Sequence, residues 1–137
     1  MGRIKIREGW QPSVICFACR HAFFDGAETG AAVRIIRVPC AGRVTPEMVL
    51  RAFHRGADAV LVAGCAPREC SCSTGAYQAR RRLPLLGKLL TFTGLEAERF
   101  AAVWPERDAA GRCSEAARLL VDKVRELGPN SRLREEL

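Results

Sequence analysis

Short, nearly continuous apolar runs alternate along the chain with stretches whose apolar residues recur at helical spacing. Four runs read as strands. Ser13-Val-Ile-Cys-Phe-Ala-Cys19 has the unbroken apolar character of a strand buried on both faces. Val33-Arg-Ile-Ile-Arg-Val38 is rich in β-branched residues and stops at Pro39-Cys40. Ala57-Asp-Ala-Val-Leu-Val-Ala63 ends at Gly64-Cys65, and Phe100-Ala-Ala-Val-Trp104 is the fourth run. Between them lie three helical patterns. Thr45 suits an N-cap and Pro46 the first helical position; Met48, Val49, Ala52 and Phe53 form one apolar face, closed by Gly56. Over 76–93, Leu83, Leu86 and Leu90 share a face, with Pro84 expected to kink that helix or mark its start. Ser114 is expected to cap a last helix running to about Leu127 before Gly128-Pro129.

The order strand, strand, helix, strand, helix, strand, helix predicts a parallel sheet covered on both faces. The expected architecture is a single three-layer α/β domain over 13–128, with a small, mostly parallel sheet of about four strands. Residues 1–12 read as a polar N-terminal arm and 129–137 as a charged tail.

Composition narrows the classes. At 137 residues and 48% apolar content the chain can build a real core. No window holds the ~18 uncharged apolar residues that a membrane span needs. Arg3, Lys5 and Arg7 are followed by no apolar signal core, so a cytoplasmic location is expected. The net charge is +7, carried almost wholly by arginine, which suits docking onto an acidic partner surface. Without interleaved basic and aromatic residues, nucleic acid is not an expected partner.

Seven cysteines change the picture. An odd number, with no secretory signal, argues against a disulfide scaffold. Cys16 and Cys19 fall at the end of the first predicted strand, Cys40 just past the second and Cys65 just past the third, with Cys70 in the following loop. Parallel strands bring their carboxyl ends to one edge, where ligands normally bind. Thiols distant in sequence therefore converge there, and several soft thiolates at one site favour iron–sulfur or zinc chemistry. Gly42 and Gly64 allow close backbone approach to such a site, and Arg43 and Arg68 flank it. His21 is a possible replacement for one thiolate; His54 has no assigned role; Cys72 and Cys113 read as spare thiols. Two other readings compete: a thiol–disulfide oxidoreductase using Cys16 and Cys19, and a structural zinc module for interaction.

Three segments carry a family resemblance. Trp10-Gln-Pro-Ser-Val-Ile-Cys16-Phe-Ala-Cys19, Arg34-Ile-Ile-Arg-Val-Pro-Cys40-Ala-Gly-Arg-Val44 and Ala59-Val-Leu-Val-Ala-Gly-Cys65-Ala-Pro-Arg-Glu-Cys70 resemble the cysteine motifs of the delta subunit of methyl-viologen-reducing hydrogenase. Gly75-Ala-Tyr77, followed by Ala79-Arg-Arg, is similar as well, so the likeness covers residue 10 to about 128. The chain departs from the family pattern in Phe17-Ala18 and in Cys72, where an aromatic residue is common. The resemblance implies an electron-transfer subunit with a [2Fe–2S] cluster, held by four of Cys16, Cys19, Cys40, Cys65 and Cys70. It implies a place between a hydrogenase or formate dehydrogenase and the flavin-bearing A-type component of heterodisulfide reductase.

Overall fold

The computed structural model describes residues 10–20, 22, 24, 32–66, 75–106, 111–131 and 133. Its strands are β1 (Val14–Cys19), β2 (Val33–Val38), β3 (Ala59–Ala63) and β4 (Phe100–Val103); its helices are α1 (Pro46–His54), α2 (Gly75–Phe92) and α3 (Arg112–Leu127). The strands form one sheet in the order β2-β1-β3-β4, every pair parallel. This is the α/β architecture expected.

The pleat separates the core into two halves. Val14, Cys16 and Ala18 of β1 and Ala59, Leu61 and Ala63 of β3 share one face, covered by Ala117, Leu120, Val121 and Val124 of α3. Phe17, Val60 and Val62 share the other, under Val49 and Phe53 of α1 and Ala79, Leu83, Leu86 and Leu90 of α2. Both faces of β3 are therefore buried, which is why it reads as an unbroken apolar run.

Local signals set the helix ends. The Thr45 hydroxyl accepts from the Met48 amide at 3.2 Å. Gly56 adopts φ +110°, so its N–H reaches the Phe53 carbonyl and that of Ala57 the Ala52 carbonyl, closing α1 as a Schellman motif. Pro84 does not mark the start of α2 but sits within it, its side exposed, with the helix continuing on both sides. One expectation is corrected. Ser114 is the third residue of α3 and buried, not its cap; Gly111 takes the N-cap position with φ +86°.

The amino edge of the sheet is locked by buried polar groups. The Asp58 carboxylate accepts from the Ser13 amide at 3.0 Å and the Asn130 amide at 2.9 Å, tying the starts of β3 and β1 to the chain beyond α3. Arg99, buried just before β4, donates to the Asp58 and Gly128 carbonyls at 2.9 and 2.8 Å and pairs with Glu96 at 2.6 Å. The Asn130 side chain donates to the Ala57 carbonyl at 3.1 Å. A cluster at this edge would have to displace groups that already satisfy one another. No helix of the described residues is long and apolar enough to cross a membrane.

Candidate cysteine site at the carboxyl edge

The opposite edge collects the thiols. Cys19 is the last residue of β1, Cys65 follows β3 by two residues, and Cys40 caps a 3-10 turn (Ala41–Arg43) just past β2. All three are buried. The Cys40 sulfur accepts from the Gly42 amide at 3.4 Å, so one backbone N–H of this turn already points at a sulfur. Cys70, together with Cys72, His21 and Arg68, lies outside the described residues.

Cys16 stands one layer deeper than expected. It is the third residue of β1, paired between Ile35 of β2 and Leu61 of β3, and fully buried on the α3 side. There it meets Cys113, the second residue of α3. Burial pushes the Cys16 thiol from 9.0 up to about 12; the neighbouring Cys113 thiol adds to the rise and the Arg37 guanidinium opposes it. Cys113 shares one core cluster with Cys16, Cys19 and Cys65. A spare thiol on spacing alone, it is thus part of the same neighbourhood. The signal that finds it is topological: a helix following a parallel strand begins at the carboxyl edge, so a cysteine in its first turn arrives there too.

Arg37 of β2 gives no sign of a role in the sequence, where it reads as a solvent-facing strand residue. Its guanidinium donates to the carbonyls of Cys19 and Ala22 at 2.9 and 2.5 Å, fastening the chain that leaves β1. It is thereby fixed as a cation close to buried sulfur. Arg43 is exposed, as is His54 at the end of α1.

The two glycines act through close packing. A Cβ on Gly64 would lie 2.5 and 2.7 Å from ring carbons of Trp104. A Cβ on Gly42 would lie 3.0 Å from the Gly75 Cα, where α2 starts. Arg82 of α2 donates to the Gly42 carbonyl at 2.8 Å, binding that helix to the Cys40 turn.

Cys16, Cys19, Cys40, Cys65 and Cys113 are all thiols rather than halves of a disulfide. Among the described residues no three His, Cys, Asp or Glu side chains are grouped to hold a single metal ion. The donors are soft sulfurs, the type that iron–sulfur clusters use. Their number and their edge of the sheet fit such a group.

The chain matches the family model of the methyl-viologen-reducing hydrogenase delta subunit over residues 14–128. It is 36% identical over 130 residues to the iron-sulfur D component of the F420-non-reducing hydrogenase of Archaeoglobus profundus, covering 89% of this chain and 95% of that protein. It is 34% identical over 130 residues to the corresponding vhc iron-sulfur protein of Methanococcus voltae, covering 89% of this chain and 90% of that one. A different kind of relative is the A component of the ferredoxin/F(420)H(2)-dependent CoB-CoM heterodisulfide reductase of Methanosarcina acetivorans. There the likeness is 33% over 126 residues, 86% of this chain but 16% of that much longer protein.

Proposed function

The chain belongs to the delta-subunit family of methyl-viologen-reducing hydrogenase, and we propose that it is a cytoplasmic electron-transfer subunit carrying a [2Fe–2S] cluster at its carboxyl sheet edge. In this reading it relays electrons from a hydrogenase or formate dehydrogenase to a flavoprotein of the heterodisulfide reductase A type. The observation that carries the proposal is the gathering of buried thiols from separate strands at one edge of an all-parallel sheet. Relatives named as iron-sulfur proteins of a hydrogenase support the cofactor. A heterodisulfide reductase A component that contains a segment like this chain supports the partner.

Cys16, Cys19, Cys40, Cys65 and Cys70 are the proposed ligands, four of the five holding the cluster. Bound there, the cluster would supply reversible one-electron chemistry. The chain itself fixes the thiols, limits water and sets the local field. Arg37 brings a positive charge that favours thiolate over thiol at Cys16. The Gly42 amide offers a hydrogen bond to the Cys40 sulfur. Burial among apolar side chains keeps water from the sulfurs.

Thiol–disulfide exchange fits less well. A thiol–disulfide exchanger needs an accessible, acidified thiol, whereas Cys16 is fully buried and pushed up to about 12. Structural zinc would use the same soft thiolates, and metal analysis of the purified protein separates it from an iron–sulfur cluster. Anaerobic purification tests the proposal. Brown protein with iron, inorganic sulfide and an electron paramagnetic resonance signal on reduction is expected. Colourless, iron-free protein after careful reconstitution overturns it.

A further inference from the structure

Helix α2 is apolar on two sides. One side, with Leu83, Leu86 and Leu90, packs onto the sheet. The other faces outward: Leu85 is 62% exposed, Leu89 63% and Phe92 90%. Their spacing of i, i+4 and i+7 gathers them on one face. Tyr77, 54% exposed, and Arg81 continue the same row toward the helix start, with the Arg81 guanidinium 5.8 Å from the Tyr77 ring centre. Isolated exposed apolar residues are ordinary, but a contiguous row of large ones marks a surface that is covered in use. Ile36 and Leu119, the other large apolar residues exposed among those described, belong to separate elements.

Charge decides what covers it. The eighteen residues of α2 include Arg80, Arg81, Arg82 and Lys88 and neither Asp nor Glu. A second copy of the chain would bring two such helices together with like charges facing, which is unfavourable. A surface that is apolar at its centre and carboxylate-lined at its border complements the row. Position agrees. The start of α2 packs on the Cys40 turn through Gly75 and Gly42, and Arg82 is bonded to that turn. The start of the row, at Tyr77 and Arg81, therefore adjoins the cysteine edge, and Leu85, Leu89 and Phe92 extend it along α2 toward the amino edge of the sheet.

We propose that the exposed face of α2 is the docking surface for the A-type flavoprotein, which meets it with an apolar groove bordered by carboxylates. The inference rests on the relay reading for the identity of the partner, and takes the surface from exposure and charge. Protein is favoured over an anionic membrane because a segment like this chain exists within a heterodisulfide reductase A component.

The full chain carrying Leu85→Asp and Leu89→Asp together tests it, with Arg81→Glu/Lys88→Glu as a second variant that leaves the apolar row untouched. Binding to the purified A-type flavoprotein is measured beside iron content, thermal melting and binding to phosphatidylserine vesicles. The expected result is binding weakened roughly a hundredfold in the leucine variant, about tenfold in the charge variant with loss of salt sensitivity, and unchanged iron and melting. Wild-type affinity in both variants overturns the docking face. So does vesicle binding by the wild type that these substitutions abolish while flavoprotein binding persists. A wild-type chain without iron whose flavoprotein binding is still lost in the variants sinks the relay and leaves the docking face standing. An iron-loaded chain indifferent to the substitutions does the reverse.

Discussion

The indole of Trp104 lies against the backbone of Gly64, leaving no room for a side chain there. A Cβ at this position would stand 2.5 Å from one ring carbon, 2.7 Å from another and 3.1 Å from the Ala41 Cβ. Trp104 follows β4, and Gly64 immediately precedes Cys65, so an aromatic from the edge strand sets the path of the chain into a candidate ligand. Trp104 packs against both halves of the core, which limits how far it can withdraw.

Gly64→Ala is therefore expected to cost about 1–3 kcal/mol, the usual penalty for overpacking, and to lower iron per folded chain by moving Cys65. Denaturation and iron analysis measure the two effects separately. Restoration of both by the double variant Gly64→Ala/Trp104→Leu would attribute them to this contact. Unchanged stability in Gly64→Ala would show that the ring has freedom to move.

How far these features were legible in the chain follows from their range. Strands β1, β2 and β3 announce themselves because both faces of a central parallel strand are buried, or because β-branched residues fill them. Thr45, Pro46 and Gly56 announce α1 because capping is decided within four residues. Cys19, Cys40 and Cys65 follow from strand ends. The depth of Cys16 does not, since a seven-residue apolar run leaves open where the carboxyl edge falls. Ser114 misleads as a cap because Gly111, in the left-handed conformation, begins the helix earlier. The Asp58, Arg99 and Asn130 lock joins residues 72 and 73 positions apart, and no local pattern announces such a meeting.

That lock predicts a clean separation of stability from cofactor content. Asp58→Ala leaves the Ser13 and Asn130 amides without their buried acceptor, and a loss on the order of 3 kcal/mol is expected. Because the lock lies at the amino edge, the fraction that remains folded should hold as much iron as the wild type. Chemical denaturation and iron per folded chain, both at low temperature, check it. Iron lost in proportion beyond unfolding would mean that the two edges are coupled.

Serine substitution sorts the thiols. Four of Cys16, Cys19, Cys40, Cys65 and Cys70 should lose or distort the cluster spectrum when changed, and one should be spared. Cys72→Ser should be silent. Cys113→Ser is the informative case, because this thiol shares the core with Cys16. Retained iron with a changed spectrum is the expected outcome for a neighbour that shapes the surroundings without ligation. Complete loss of iron would make Cys113 a ligand and displace one of the five.

Arg37 should tune the site through charge. Its guanidinium opposes the rise at Cys16 and holds the Cys19 and Ala22 carbonyls. Removing a nearby cation makes addition of an electron less favourable. Arg37→Gln is expected to lower the reduction potential, read by redox titration, while Arg37→Lys keeps much of the charge and shifts it less. Equal shifts for both substitutions would point to the carbonyl bonds rather than to charge.

The buried thiol of Cys16 gives the iron-free chain a particular response to alkali. Its value rises from 9.0 to about 12, chiefly by burial. Between these values the unfolded chain releases the proton while the folded chain keeps it, so the folded state binds more protons and loses stability as pH increases. Below about 9 both states are protonated and the contribution is constant. Denaturation from about pH 8 to about pH 11 should therefore show a decline that is shallower in Cys16→Ala, other titrating groups being common to both proteins. The difference between the two curves should open above pH ~9 and reach a few kcal/mol at most. Parallel curves across that range would mean that water reaches the Cys16 sulfur, and with it that the α3 side of the sheet is not the dry environment in which a cluster would be held.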